Sequence, residues 1–148
     1  MSKENEALVR RYVEEVYDQR KLEVVDEIFA PDFTLHDPDM PGAGRGPEGI
    51  KRIVENAVST FPDLRVTLED ELSSGEKVVT RFTFRGTHQG ELMGLAPTGK
   101  RIDVTTIGIW RVAEGKIKEA WLVFDVLGMM QQIGAVAQPP PSEEARPT

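Results

Sequence analysis

Three side chains in this 148-residue sequence combine proton-transfer chemistry with an apolar setting: Asp125 and the only two histidines, His36 and His88. Asp125 lies in Glu119-Ala-Trp-Leu-Val-Phe-Asp-Val-Leu-Gly-Met-Met, where a strand-like apolar run meets an apolar helix. A carboxylate in such a frame needs a partner or a task, because desolvation penalises its charged form. His36 and His88 also end strand-like segments. One carboxylate and two imidazoles near strand ends point to a pocket with acid/base chemistry. Two readings of Asp125 stand side by side. Burial against Trp121 and Val123 would make it a general base, or it caps the helix that opens at Val126. His36 is either a pocket donor or a turn residue ahead of Asp37-Pro38. His88 either donates into the pocket or fills its rim.

The elements that must position these groups follow from apolar spacing. Residues 4–19 carry Leu8, Val9, Tyr12, Val13, Val16 and Tyr17 on one helical stripe, with Arg10, Arg11, Glu14 and Glu15 opposite. A short helix is predicted over 22–29, stopped by Pro31, and a strand over 33–37. A Pro/Gly-rich loop (38–46) leads to a third helix with Pro47 in its first turn, the stripe Ile50, Ile53, Val54, Ala57, Val58 and Phe61, and a stop at Pro62. From residue 64 the period changes to two. Strands are predicted at 64–72, 77–88, 102–112 and 116–125, and a short apolar helix at 126–133. The tail, 135–148, contains three successive prolines and no apolar period, and is expected to be disordered. Helices followed by an antiparallel meander give a single α+β domain over 1–134. Its three N-terminal helices pack on a curved, mainly antiparallel sheet, forming a cone whose mouth can hold a small molecule.

Strand parity assigns side chains to faces. Val78, Thr80, Phe82, Phe84, Gly86 and His88 share the interior row of their strand. Ile117, Glu119, Trp121, Val123 and Asp125 share a row in the last strand, which places Asp125 beside Trp121. His36 has parity opposite to Phe33 and Leu35. Both faces of the last strand are partly apolar, so it is central or covered on its back by a second subunit.

Composition narrows the partners. The chain has 18 basic and 25 acidic residues, a net charge of −7 and a pI of about 4.9. That balance disfavours nucleic acid and anionic membranes. The absence of cysteine excludes disulfides, thiolate chemistry and the usual structural zinc sites. The start is polar, and no apolar run approaches the ~20 residues of a membrane span, so a cytoplasmic location is expected. Neither a His-x-x-x-His spacing nor a phosphate-binding glycine loop is present.

Several ordered pieces carry a family resemblance: Phe33-Thr-Leu-His36-Asp37-Pro38, Gly46-Pro-Glu-Gly49, Phe61-Pro-Asp-Leu64, Gly86-Thr-His88-Gln-Gly90 and Gly94-Leu-Ala-Pro-Thr-Gly-Lys100. Gly115-Lys-Ile-Lys-Glu119-Ala-Trp121, Asp125 and Leu127-Gly-Met-Met-Gln131-Gln-Ile-Gly134 complete the series. In order and spacing these resemble the SnoaL-like polyketide cyclases of the nuclear-transport-factor-2-like superfamily. The resemblance spans residues 5–134 and implies a cone-shaped α+β barrel, dimeric through its open sheet face. It also implies ring closure of a polyketide by intramolecular aldol chemistry without metal or organic cofactor. The essential aspartate of that family would correspond to Asp125, and its pocket histidines and aromatic residues to His36, His88 and Trp121. Leu95-Ala96 departs from the second proline common before Pro97 in a loop over the pocket mouth, a change that bears on substrate size.

The expected function is thus a small cofactor-independent cyclase or isomerase acting on an apolar or aromatic carbonyl compound. Asp125 would be the base, and His88 or His36 the donor to the carbonyl oxygen. Trp121, Phe82, Phe84, Met93 and Phe61 are the expected substrate-contacting side chains, while Trp110 reads as core. Arg81, Arg85 and Arg111 read as solvated or at a dimer interface, and Met129 and Met130 as packing. Epoxide hydrolysis lacks an interior arginine, and dehydration by a His–Asp pair stays open. The reading from a different class is a non-catalytic small-molecule-binding or dimerisation module of the same fold.

Overall fold

The computed structural model describes residues 2–40, 42 and 44–137, so most of the predicted tail lies outside the described residues. Helix α1 (Ser2–Arg11) runs into a π-helical segment (Tyr12–Asp18), and a short α2 (Val24–Ile28) follows. Val9, Tyr12, Val13, Val16 and Tyr17 form the buried stripe. A π turn closes i→i+5 bonds, so Tyr12 and Tyr17, five positions apart, meet edge to face with ring centroids 5.2 Å apart.

Strand β1 (Phe29–His36) begins earlier than the sequence predicts and contains Pro31. It is an edge strand, where the missing proline N–H breaks little, and its ladder skips from Phe29 to Thr34. Helix α3 (Gly46–Thr60) has Pro47 in its first turn. Strands β2 (Arg65–Ser74), β3 (Lys77–Thr87), β4 (Arg101–Ala113) and β5 (Lys116–Phe124) precede helix α4 (Val126–Gln132). The amides of Ala135 and Val136 still bond to the Met130 carbonyl, closing the end of α4.

The sheet order is β1-β5-β4-β3-β2, with β1 parallel to β5 and the remaining pairs antiparallel. The π-helical segment and α1 lie on β2 and β3, α3 on β1, and α4 on β4. This is the expected α+β architecture of helices on a mixed, mainly antiparallel sheet. Trp110 centres the core: its Nε1 donates to Thr80 Oγ1 at 2.9 Å, and Tyr12 and Phe82 pack around it at 5.4 and 6.0 Å. Among the described residues, no helix is long and apolar enough to cross a membrane.

A β-bulge in β5 decides which side chains face the core. Arg111 pairs with Glu119, but its neighbour Val112 pairs with Ile117, leaving Lys118 as an extra residue. Parity reverses there. Ile117 and Ala120 are both buried, whereas Trp121 is 37% and Val123 61% exposed. The expected single row from Ile117 to Asp125 is therefore corrected: Trp121, Val123 and Asp125 lie on the outer face. On that face Leu72, Val79, Ile109 and Trp121 stand opposite one another across β2, β3, β4 and β5, and His36 pairs with Trp121.

Candidate active site

Between the helices and the inner face of the sheet lies a mainly apolar cavity of about 380 Å³. Phe84 of β3, Ile102 and Thr106 of β4, and Leu122 and Phe124 of β5 supply its sheet wall. Tyr12, Tyr17, Ile53, Asn56, Ala57 and Phe61 come from the helical side and its ends, with Leu92 and Met93 from the loop after β3. The volume falls in the ~300–1,000 Å³ range of small-molecule sites. Gly108 pairs with Leu122 across β4 and β5, and a Cβ at position 108 would lie 2.4 Å from a Leu122 methyl, so the leucine occupies the space above the glycine. A second cleft of about 300 Å³, lined by Arg85, Arg101, Ile102, Asp103 and Gln132, is shallow and charged. The apolar cavity is the one with the size and lining of a small-molecule site.

The buried carboxyl of this cavity is Asp37. It is 6% exposed and lines the wall just beyond β1. Its Oδ1 accepts the Asp39 amide at 2.9 Å, and its carbonyl accepts from the Met40 amide, so the Asp-Pro-Asp-Met turn holds it in place. Burial pushes its carboxyl above the ordinary value; the Asp39 amide opposes that shift, and the nearby Asp39 charge adds to it. Tyr12 and Tyr17 also line the cavity, and burial raises both phenols, which keeps them protonated as donors.

The residues expected at the site are divided by the fold. Phe61, Phe84 and Met93 line the cavity. Phe82 packs in the core against Trp110 instead. Asp125 is exposed and caps α4, its carboxylate accepting the Gly128 amide at 2.8 Å. Its expected place in the interior beside Trp121 is corrected by the bulge. His36 lies on the outer face, stacked on Trp121 at 5.3 Å and 19°, with Nε2 2.7 Å from Glu119. Arg111 holds the other Glu119 oxygen, and His36 and Arg111 together draw that carboxyl below its usual range.

His88 is fully buried, as its interior row predicts, but it stands behind Phe61, at 6.0 Å, rather than on the cavity wall. Its Nδ1 accepts the Thr98 amide at 3.2 Å and lies 3.0 Å from Thr98 Oγ1. Among the described residues, no group of three or more His, Cys, Asp or Glu has the clustering of a metal site.

Asp37 and Thr106 were not singled out by sequence reasoning, although the signal was present. Phe33, Leu35 and Asp37 share parity, and all three are buried. The same two-residue period that sets His36 outside carries Asp37 in. Thr106 falls in the buried alternate row Ile102, Val104, Thr106, Gly108 and Trp110.

Known proteins resemble this chain in sequence and in fold. Aklanonic acid methyl ester cyclase DnrD of Streptomyces peucetius is 31% identical over 133 residues, covering 86% of this chain and 88% of the relative. Nogalonic acid methyl ester cyclase of Streptomyces nogalater is 26% identical over 119 residues, covering 80% and 89%. The solved structure of TsrD from Streptomyces laurentii superposes with a TM-score of 0.81 at 29% identity, over 90% of this chain and 97% of that one. The sequence model of the SnoaL-like polyketide cyclases matches residues 7–133, and the chain belongs to that family.

Proposed function

We propose that the chain is an acid/base enzyme of the aldol-cyclase or isomerase type, acting on an apolar polyketide carbonyl compound, with Asp37 as its base. The observation that carries this reading is a nearly buried carboxyl, raised by desolvation, on the wall of an apolar cavity. Such a group is a stronger base than a carboxylate in water. In the aldol form of the reaction, Asp37 takes a proton from the carbon next to a carbonyl, and the enolate carbon bonds to a second carbonyl carbon. The resulting alkoxide recovers the proton from Asp37, so the reaction needs no external oxidant or reductant. The protonated phenol of Tyr17, which accepts from the Tyr12 hydroxyl, is the donor suited to the developing enolate oxygen. No resident cofactor enters this sequence of steps.

The relatives' names suggest the substrate class: methyl esters of polyketide acids. In this proposal Asp125, His36 and His88 have structural roles, as a helix cap, an outer-face ion pair and a loop anchor. The test is Asp37→Asn assayed on a polyketide methyl ester that closes by aldol addition. A fall in turnover of at least ~100-fold with the fold intact is expected. Unchanged turnover would remove Asp37 from the chemistry.

One observation favours a non-catalytic small-molecule-binding module. The cavity-facing side chains that β4 and β5 supply, Ile102, Thr106, Leu122 and Phe124, include no ionisable group. Tight binding of polyketide esters without turnover would select that reading. We further propose that a second copy of the chain covers the outer sheet face. The apolar line Leu72, Val79, Ile109 and Trp121 is flanked there by the Arg81–Asp70 and Arg111–Glu119 pairs, the layout of an apolar centre with a polar rim.

A further inference from the structure

Among the described residues, four threonines are buried, and they differ in one respect. Thr60 Oγ1 donates to the Glu91 carbonyl at 3.1 Å, Thr80 Oγ1 accepts from Trp110 at 2.9 Å, and Thr83 Oγ1 donates to Glu69 at 3.0 Å. Thr106 is 3% exposed, and its Oγ1 is buried with no partner in the protein.

It stands on β4, the middle strand of the sheet, between Phe82 and Phe124, and lines the cavity. A hydroxyl enclosed without a hydrogen bond is unfavourable by roughly 1–3 kcal/mol on protein scales. Valine has nearly the same shape, suits a strand at least as well and carries no such penalty. In a strand the hydroxyl also lacks the carbonyl one turn back that satisfies it in a helix. Thr106 lines the cavity with Phe84, Leu122 and Phe124, and a turn about its Cα–Cβ bond is what would present the enclosed hydroxyl to a ligand there.

We propose that Thr106 is the residue that fixes the orientation of the ligand, its hydroxyl donating to a carbonyl oxygen on the edge of an apolar ring system. This deepens the proposed function and rests on the cavity being the ligand site. The hydroxyl selects ring ketones over hydrocarbons of equal shape, because a ligand without an oxygen at that edge leaves Thr106 unpaired. Asp37 sits on a separate element, in the turn after β1, so a ligand anchored at Thr106 has its orientation towards the carboxyl set by that bond. Thr106 is a positioning residue in this scheme; the proton moves on Asp37.

The test uses two probes that differ only in the carbonyl, 1-tetralone and tetralin, with affinities read by calorimetry or NMR titration on the full chain. The wild type should bind tetralone more tightly than tetralin. Thr106→Val should weaken tetralone by about tenfold, the equivalent of one net hydrogen bond, and leave tetralin unchanged. Thr106→Ser should keep the preference. Thr106→Val that binds both probes as the wild type does would overturn the proposal while leaving Asp37's role intact. A wild type that binds neither probe would overturn the ligand site itself, and the proposed function with it. Loss of turnover in Asp37→Asn without change in tetralone binding keeps the two ideas separate.

Discussion

Asp125 and Gly128 are fitted to each other: the carboxylate accepts the Gly128 amide at 2.8 Å, and a Cβ at position 128 would lie 2.1 Å from its other oxygen. The cap contributes about 1 kcal/mol, and glycine in a helix costs about 1 kcal/mol relative to alanine. Asp125→Ala should therefore lower stability by about 1 kcal/mol, with Asp125→Asn close to the wild type. Gly128→Ala alone should be nearly neutral, because its gain in propensity is offset by the displaced cap. In the Asp125→Ala background the same change should stabilise by about 1 kcal/mol. Urea unfolding of the four proteins gives this coupling directly. None of them should lose turnover; an Asp125→Asn variant of full stability and no activity would return the base's role to Asp125.

Asp37 makes opposite demands on activity and stability. Its carboxyl is raised by burial, and a base works ionised, so turnover should rise with pH through that raised pKa and level off above it. The folded state disfavours the charge. The cost to stability is then full above the folded pKa and is relieved as pH falls through it towards the unfolded value. Asp37→Asn removes the charge and keeps an oxygen for the Asp39 amide. At neutral pH it should be as stable as the wild type or more so, the difference shrinking on acidification, while turnover is lost. Thermal melts and rate profiles across the acid range read both halves. A variant clearly less stable at neutral pH would show that the ionised carboxylate holds the turn together.

The sequence made most of the fold legible and, by one bulge, put Trp121 and Asp125 on the wrong face. Alternation from residue 64 onward gave the strands, because each has one buried face and the period of two survives wherever the ladder is regular. In β5 it does not: Lys118 is inserted between Ile117 and Glu119 in the pairing with Val112 and Arg111. Nothing local marks the insertion, since Lys-Ile-Lys-Glu-Ala carries no glycine or proline and suits a regular strand. Counting in twos from Ile117 therefore put Trp121 and Asp125 inside. The same count from Phe33 through Leu35 reaches Asp37 without a bulge and is correct there. His36 and Asp37 are sequence neighbours on opposite faces, the histidine exposed and the aspartate buried. Pro31 marked the end of α2 correctly but hid the start of β1, because an edge strand tolerates a proline that a central strand would reject.

The outer sheet face yields a prediction about assembly. Leu72, Val79, Ile109 and Trp121 leave an exposed apolar line across four strands, and Lys77 lies 5.6 Å from the Trp121 ring. Ile109→Lys places a charge in the middle of that line without touching the cavity. The wild type should sediment at twice the chain mass and show a melting temperature that rises with protein concentration. The variant should sediment as a monomer whose melting is independent of concentration. A monomeric wild type at micromolar concentration would end the second-copy proposal.

His88 ties the loop over the cavity back to the strand it leaves. Its amide donates to the Lys100 carbonyl at 2.8 Å, its carbonyl accepts the Gly99 amide at 2.9 Å, and its Nδ1 accepts the Thr98 amide. Leu92 and Met93 of the intervening segment reach the cavity. An Nδ1 that accepts from a backbone amide carries no hydrogen, so the ring proton sits on Nε2. His88→Leu keeps the bulk but removes the acceptor and leaves the Thr98 amide unpaired, at a cost of about 1–3 kcal/mol that is offset in part by the loss of the buried, unpartnered Nε2–H. Hydrogen exchange at Thr98 and Gly99 should accelerate, and KM should rise more than kcat falls, because the loop moves while Asp37 stays in place. His88→Asn puts an amide oxygen close to where Nδ1 stands and should recover much of the lost protection. If His88→Leu abolished kcat with protection unchanged, the ring would belong to the chemistry rather than to the loop.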